Sequence, residues 1–243
     1  MNNYFDPKNF AKKTVLTIYA HADDEVLPAA GTLNIMSKAG WNVHCLILTD
    51  GNLSSSSMKD KRHKEAEEAG KIIGATYEFY ALEECNFSTQ VVIKVAEEAI
   101  KRWQPDLIIT HAPQPEKYGH RDHEVCAIAV SNVATRTNIP LWYSAPPVFL
   151  RGFEPNFFVD ITSVIEEKVA AIGCYESELN KAFMQLDAIL VLSRFWAREL
   201  GQKDGYFEAF EISRQWVDAS FFEALANSKK QVAHQELSNI SQT

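Results

Sequence analysis

The feature that most constrains this chain is an apolar run that ends in a cluster of polar residues. Residues 15–19 (VLTIY) are apolar and rich in β-branched side chains, and residues 20–25 (AHADDE) follow with one histidine and three carboxylates. The apolar run predicts a buried strand, and residues 28–38 predict a helix. Because α/β folds bind ligands at the carboxyl ends of their strands, we expect a functional site at this junction.

Strand-like and helix-like patterns alternate over most of the chain. Strand-like runs at 42–49, 76–80 and 107–110 are separated by helical patterns at 59–73 and 89–103. This alternation predicts a parallel sheet that is covered by helices on both faces. We therefore expect an α/β fold, a Rossmann-like three-layer sandwich with a mostly parallel sheet and a metal site at the carboxyl ends of the strands.

No linker divides the chain, so we expect one domain over all 243 residues. Its core is predicted at residues 14–212, and the polar segments 1–13 and 227–243 are predicted to be flexible. Near the C-terminal end of this core, residues 181–200 predict one helix. The aromatic alternation of residues 206–212 (YFEAFEI) predicts an edge strand.

The composition argues against several classes of protein. The formal net charge is -8 and the pI is near 5.4, which argues against a nucleic-acid-binding surface. No apolar run approaches the ~20 residues of a membrane span, and the N-terminus lacks a signal-peptide pattern. The four cysteines form no CxxC pair. We expect a cytoplasmic protein with a small-molecule substrate and no nucleic-acid or membrane partner; homo-oligomer formation stays open.

A second polar motif, residues 118–123 (YGHRDH), follows the predicted strand at 107–110. Hydrolytic zinc sites take three protein ligands and leave a fourth position for water. His21, Asp24 and His123 offer two imidazoles and one carboxylate, and two neighbouring strand ends can bring them together. We predict that they bind Zn²⁺ or another divalent metal. The alternative is a hydrogen-bonded structural cluster.

A hydrolytic metal site also needs groups that move protons. Asp23 is the predicted general base, and the alternative for it is a helix N-cap. His120 is predicted to stabilise the oxyanion and to protonate the leaving amine, with Asp122 orienting it and favouring its charged form. Glu25 is predicted to act structurally at the helix N-terminus. His111, at the end of a predicted strand on the same rim, is predicted to be a loop histidine, and the alternative is that it lines the pocket.

The two motifs resemble those of the LmbE-like, or PIG-L-like, N-acetylglucosaminyl deacetylase family. The AHPDDE motif of that family stands here as AHADDE at 20–25, and its HxDH motif stands as HRDH at 120–123. The resemblance covers roughly residues 15–212. Further matching positions are Thr49-Asp50-Gly51, Arg62, Glu65, Ala69, Gly74, Asp160-Ile161-Thr162, Lys168, Ser177 and Glu208-Ala209-Phe210.

This resemblance implies a zinc-dependent hydrolase that removes acetyl from an N-acetylglucosamine-like sugar or its conjugate. It implies that His21, Asp24 and His123 bind the metal. It also implies Asp23 as the base and His120 as the acid, as predicted above from the chemistry of the residues. It adds Tyr118 as an assistant at the oxyanion and Arg62 as a contact to sugar hydroxyls. Two alternatives stay open: an amidase acting on another N-acyl or thiol-linked sugar conjugate, and a catalytically silent carbohydrate-binding relative.

The chain departs from the family pattern at three places. Ala22 and Arg121 stand where the family has prolines, and residues 175–178 (YESE) stand where it has H-x-S-Q. Proline stiffens a turn but supplies no ligand, so we expect the metal site to survive the change at Ala22. Arg121 is expected to bring positive charge to the rim of the site. The change at 175–178 leaves open whether this segment takes part in the active site or in subunit contacts.

Overall fold

A seven-stranded sheet organises the part of the chain that the computed structural model describes, residues 13–51, 56–113, 119–146 and 152–215. The strand order is β3-β2-β1-β4-β5-β7-β6. Strand β7 runs in the opposite direction to the other six strands. The predicted α/β fold with a mostly parallel sheet is confirmed. The strands are β1 (Thr14–Tyr19), β2 (Asn42–Thr49), β3 (Ala75–Leu82), β4 (Leu107–His111), β5 (Leu141–Ser144), β6 (Phe157–Asp160) and β7 (Phe207–Arg214).

Helices cover both faces of this sheet. The helices of the described ranges are α1 (Val26–Lys38), α2 (Ser56–Ile73), α3 (Thr89–Trp103), α4 (Arg121–Thr137), α5 (Ile165–Gly173) and α6 (Leu186–Glu199). Helices α1, α2 and α5 pack on one face, and α3 and α4 pack on the other. None of these helices is long and apolar enough to cross a membrane.

The central strand β1 is buried on both faces, which explains its unbroken apolar run. Leu16 and Ile18 pack with residues of α3 and α4, whereas Val15 and Tyr19 pack with residues of α1. All four side chains have no exposed surface. Burying such a side chain typically stabilises a fold by about 1.5–3 kcal/mol, so β1 is a rigid support for the residues that follow it.

The winding of the sheet changes direction between β1 and β4. From β1 the chain continues outward to β2 and β3, whereas β4 pairs with the opposite side of β1 and leads to β5. Such a switch point leaves a crevice beyond the carboxyl ends of the two strands. Residues 20–25 leave β1 at this crevice, and α4 begins there after β4.

A buried ion pair joins β7 and α5 to the first helix. Lys168 Nζ lies 2.6 Å from Glu208 Oε1, and both side chains are almost fully buried. The Glu208 carboxylate also accepts the backbone N–H groups of Gly31 and Thr32, while Lys168 donates to the carbonyl of Leu27. Since both charges are paired and hydrogen-bonded, this contact can persist in the interior and fix the first turns of α1.

Strand β7 lies inside the sheet, so the prediction of an edge strand at residues 206–212 is wrong. It pairs with β5 on one side and with β6 on the other, and its first four residues are all buried. The prediction rested on the aromatic alternation of residues 206–212, in which Glu208 takes a non-aromatic position. In the fold this carboxylate is neutralised by Lys168.

The predicted single helix at 181–200 is also wrong in its first turn. Residues Ala182–Met184 form a separate 3₁₀ turn, and Gln185 is extended before α6 begins. The Gln185 side chain donates to the carbonyl of Leu179, which closes a turn where a continuous helix would run. Of the segments predicted to be flexible, residues 1–12 and 227–243 lie outside the described ranges.

The close approach of α1 to Ile161 provides a test of this packing. A Cβ atom on Gly31 would lie 2.7 Å from Ile161 Cγ2 and 2.8 Å from its Cβ. Because a branched side chain cannot move aside easily, we expect Gly31→Ala to lower the free energy of unfolding by about 1–3 kcal/mol. Urea denaturation measures this change.

The matched control is Gly173→Ala on α5, where a Cβ meets no atom within 4 Å. This variant should be as stable as the parent chain or slightly more stable, because alanine favours the helix. Equal unfolding midpoints for Gly31→Ala and the parent chain would contradict the described packing of α1.

Candidate metal centre

The three predicted ligands meet in the crevice between β1 and β4. His21 and Asp24 follow β1, and His123 lies in the first turn of α4. His21 Nδ1 and His123 Nε2 are 3.2 Å apart, and each lies 3.2 Å from one carboxylate oxygen of Asp24. Tetrahedral zinc with bonds of about 2.0–2.1 Å places its ligand atoms roughly 3.3 Å apart, so this donor set fits the metal.

The charges around these three residues favour a positive charge at the predicted metal position. Burial alone would lower the pKa of His21, but hydrogen bonds to Asp122 and Asp24 raise it to about 10. Burial would raise the pKa of Asp24, yet His123 and His111 hold it well below its ordinary value. A cluster that stabilises a protonated imidazole so strongly also attracts a metal cation.

The side chain of Asp122 orients His21 rather than His120. Its buried carboxylate oxygen Oδ2 lies 3.2 Å from His21 Nε2 and accepts the backbone N–H of Cys85 at 2.8 Å. The same oxygen is 3.9 Å from His120 Nδ1. A carboxylate on the second nitrogen fixes the ring and directs the other nitrogen, Nδ1, towards the metal position.

His120 is the N-cap residue of α4, and its side chain is 44% exposed. The backbone N–H of Asp122 donates to His120 Nδ1 at 3.2 Å, which leaves Nε2 to carry the proton. Burial, together with the nearby His21 and His123, lowers the pKa of His120. Asp122 acts in the predicted direction, because its charge raises the pKa of His120, but burial and the two imidazoles outweigh it.

Asp23 has an unusual backbone conformation beside the ligands. Its φ is +113°, which costs a non-glycine residue about 1–3 kcal/mol, and its side chain is buried. Burial and the charge of Asp24 raise its pKa well above the ordinary value, while Lys181 and Arg62 oppose this shift. The N-cap position of α1 belongs to Glu25, so the alternative of Asp23 as N-cap is not realised.

Arg62 approaches the same loop from α2. Its guanidinium contacts the backbone carbonyl of Ala22 at 3.5 Å and forms an ion pair with Glu178. Glu178 also pairs with Lys181, whose Nζ lies 3.9 Å from Asp23 Oδ2. Two cations and two carboxylates therefore alternate along this rim of the site.

Residues 175–178, which depart from the family pattern, hydrogen-bond to two carboxylates, one of them adjacent in sequence to a predicted metal ligand. Tyr175 is fully buried and donates to Glu25 Oε1 at 2.8 Å, next to a second hydroxyl donor, Tyr77, at 2.7 Å. Burial raises the pKa of Glu25 to about 7 against these hydrogen bonds. Ser177 donates to Glu65 from both its backbone and its hydroxyl. Glu25 is thus held by tyrosines and makes no side-chain cap.

His111 is a site residue, although the sequence analysis preferred a loop histidine to a residue that lines the pocket. It is the last residue of β4, buried, and its Nε2 accepts the backbone N–H of Ala20 at 3.1 Å. Its ring stacks on that of His123 at 4.1 Å, and Nε2 lies 3.4 Å from Asp24 Oδ2. Burial and His123 lower its pKa to about 4. Its place at the end of a strand next to β1 was the available signal.

Two other residues of the sequence analysis are Tyr118 and Arg121. Tyr118 belongs to residues 114–118, which the structure does not describe. Arg121 directs its guanidinium to the backbone carbonyls of Cys85 and Phe87. These contacts fasten the loop before α3, while the side chain stays 54% exposed and lies 4.0 Å from Asp122 Oδ1.

Comparison with known proteins places these motifs among de-N-acetylases. Residues 16–134 match the family model PIG-L, described as GlcNAc-PI de-N-acetylase. An uncharacterized deacetylase of Escherichia coli K12, YaiS, is 30% identical over 177 residues, which cover 68% of this chain and 92% of that protein. The diacetylchitobiose deacetylase of Thermococcus kodakarensis is 26% identical, with 74% of this chain and 75% of that protein covered.

A related hydratase shares the same fold. The 4-oxalmesaconate hydratase of Pseudomonas putida KT2440 is 26% identical over 68% of this chain and 74% of its own length. The crystal structure of a 4-carboxy-2-hydroxymuconate hydratase from the same organism superposes with a TM-score of 0.71 at 21% identity, covering 85% of this chain and 98% of that one. The shared architecture therefore occurs in proteins of two reaction classes.

The geometry of the three ligands leads to a binding experiment. We expect His123→Ala to weaken Zn²⁺ binding by more than about 100-fold, because even residues behind a metal ligand contribute 10–100-fold. Competition with a chromophoric chelator measures the affinity. His44→Ala removes an imidazole from β2 near the opposite end of the sheet and should bind the metal as the parent does. Equal affinity in the two variants would exclude His123 as a ligand.

Proposed function

The chain belongs to the PIG-L family, and from this premise we propose that it is a zinc-dependent deacetylase of an N-acetylglucosamine-like sugar or its conjugate. The observation that carries the proposal is the convergence of His21, Asp24 and His123, with donor atoms 3.2 Å apart. A buried carboxylate, Asp23, and a partly exposed imidazole, His120, flank these ligands. Deacetylases among its relatives support the reaction class.

Each part of the site has a proposed role in amide hydrolysis. His21, Asp24 and His123 would hold the metal, which when bound supplies Lewis-acid polarisation of a carbonyl and a more acidic water. The Asp23 carboxylate accepts a proton from the attacking water as the new C–O bond forms. His120 enters this step in its imidazolium form, gives the Nε2 proton to the amine nitrogen as the amide C–N bond breaks, and returns to the neutral form in which Nδ1 accepts the Asp122 N–H. The products are acetate and the free amino sugar.

Substrate binding is proposed at the rim formed by Arg62, Glu178 and Lys181. Arg62 carries five N–H donors, and its known contacts to Glu178 and Ala22 leave some of them for sugar hydroxyls. Tyr118 remains a proposed assistant at the oxyanion, on the strength of the family resemblance. The remainder of the substrate beyond the amino sugar is open.

Hydration of an unsaturated carboxylate is a second candidate. It is supported by the 26% identity to a hydratase, which equals the identity to the diacetylchitobiose deacetylase. Arg62 and Lys181 beside Asp23 are cations that could hold a carboxylate group. An amidase acting on another N-acyl or thiol-linked conjugate would use the same residues as the deacetylase. A silent carbohydrate-binding relative would need no bound metal.

The proposed partners are a small-molecule amino sugar and, in the assembly, a second copy of the chain. The outer face of α6 supports self-association, because its apolar side chains Leu186 and Val191 are 53% and 67% exposed. No nucleic-acid or membrane partner is proposed, and a cytoplasmic location stays a prediction.

Asp23 can be tested by a substitution that keeps its shape. We expect Asp23→Asn to keep the fold and the bound metal but to lower kcat by about 10²–10⁴-fold, since it removes the proton acceptor. Asp187→Asn makes the same change at an exposed position of α6 and should be fully active. A fully active Asp23→Asn enzyme would refute the assignment of the base.

The reaction class can be decided with a panel of substrates. We expect acetate release from N-acetylglucosamine conjugates, loss of this activity after chelation, and its return with Zn²⁺. The same samples should leave the ultraviolet absorption of unsaturated dicarboxylates unchanged. Loss of that absorption without acetate release would favour the hydratase. Release of other acids alone would favour the amidase, and a chain that binds no metal would favour the silent relative.

A further inference from the structure

A second group of potential metal ligands lies beside the first. The ligand atoms of Cys85, His120 and Asp122 all lie within 4.8 Å of one another. Cys85 Sγ is 4.0 Å from His120 Nε2. The thiol is exposed, so both metal ions and water reach it. None of the roles proposed for the first site uses this thiol.

Each of the three side chains has an atom available for coordination. The Asp122 N–H occupies His120 Nδ1, so the other nitrogen, Nε2, faces the thiol. Asp122 Oδ2 contacts His21 and the backbone of Cys85, but Asp122 Oδ1 is buried and has no hydrogen-bond partner among the described residues. Arg121 Nη1 lies 4.0 Å from this oxygen. A buried oxygen without a hydrogen bond is costly unless a ligand such as a metal satisfies it.

We propose that Cys85, His120 and Asp122 form a second metal site. A thiolate, an imidazole and a carboxylate are a donor set that suits Zn²⁺, Co²⁺ and Cd²⁺. On binding, the thiol releases its proton to water and the metal–sulfur bond forms, without any redox step. The first site has no sulfur ligand, so the softer Cd²⁺ should prefer the second site over the first.

Occupation of the second site would inhibit the enzyme. This consequence rests on the proposed function, in which His120 Nε2 gives its proton to the leaving amine. A metal ion on Nε2 removes that proton and holds the ring in place. The chain would then be active with one metal ion per chain and inactive with two.

The experiment titrates metal-free protein with Zn²⁺ and, separately, with Co²⁺. We expect the parent chain to bind two equivalents and to show thiolate-to-cobalt absorption in the near ultraviolet. Cys85→Ser should bind one equivalent and lack this absorption. Its backbone N–H can still donate to Asp122 Oδ2. Cys174→Ser, which removes a partly exposed thiol on the opposite face of the sheet, should behave as the parent.

Two outcomes would overturn the second site: one equivalent bound by the parent chain, or a second equivalent and thiolate absorption that persist in Cys85→Ser. Acetate release then tests the consequence. The Zn²⁺ concentration that halves activity should be at least about tenfold higher for Cys85→Ser than for the parent or Cys174→Ser. Equal values would refute inhibition through this site. If no substrate is deacetylated, the proposed function fails, while the metal stoichiometry still decides the site.

Discussion

The contact between His21 and Asp122 is the interaction on which the whole site depends. It joins two segments that are 101 residues apart in sequence, the loop after β1 and the first turn of α4. Because Asp122 takes one ring nitrogen of His21, the other nitrogen faces Asp24 and His123. The same aspartate positions His120 through its backbone N–H. One residue thus sets the orientation of groups proposed for metal binding and for proton transfer.

Three layers of support keep this contact in place. The sheet supplies the first, since β1 is enclosed between β2 and β4 and buried on both faces. The pair Lys168–Glu208 supplies the second by holding the first turns of α1. The third is the pair of tyrosine hydroxyls on Glu25. Together they allow Asp23 to keep a costly backbone conformation, because the surroundings leave it no relaxed alternative.

Local patterns predicted the sheet, because apolar runs and helical stripes repeat along the chain. They also predicted that His21, Asp24 and His123 would approach each other, since strand ends at a switch point share one crevice. They did not predict the burial of Glu208, whose partner Lys168 is 40 residues away. For the same reason Asp122 was paired with its neighbour His120 instead of the distant His21. A local sequence pattern predicts contacts between residues that are close in sequence. It does not predict which side chains pair across the fold.

The interior position of β7 has a consequence for how the chain folds during synthesis. Strand β6 (Phe157–Asp160) has β7 as its neighbour in the sheet, yet β7 begins only at Phe207, with 46 residues between the two strands. During synthesis β6 and Lys168 therefore emerge from the ribosome before the strand and the carboxylate that complete them. Such non-local pairing forms slowly and leaves a strand edge exposed in the meantime. Chaperone dependence of newly made chains should accordingly be concentrated in the interval before β7 is released.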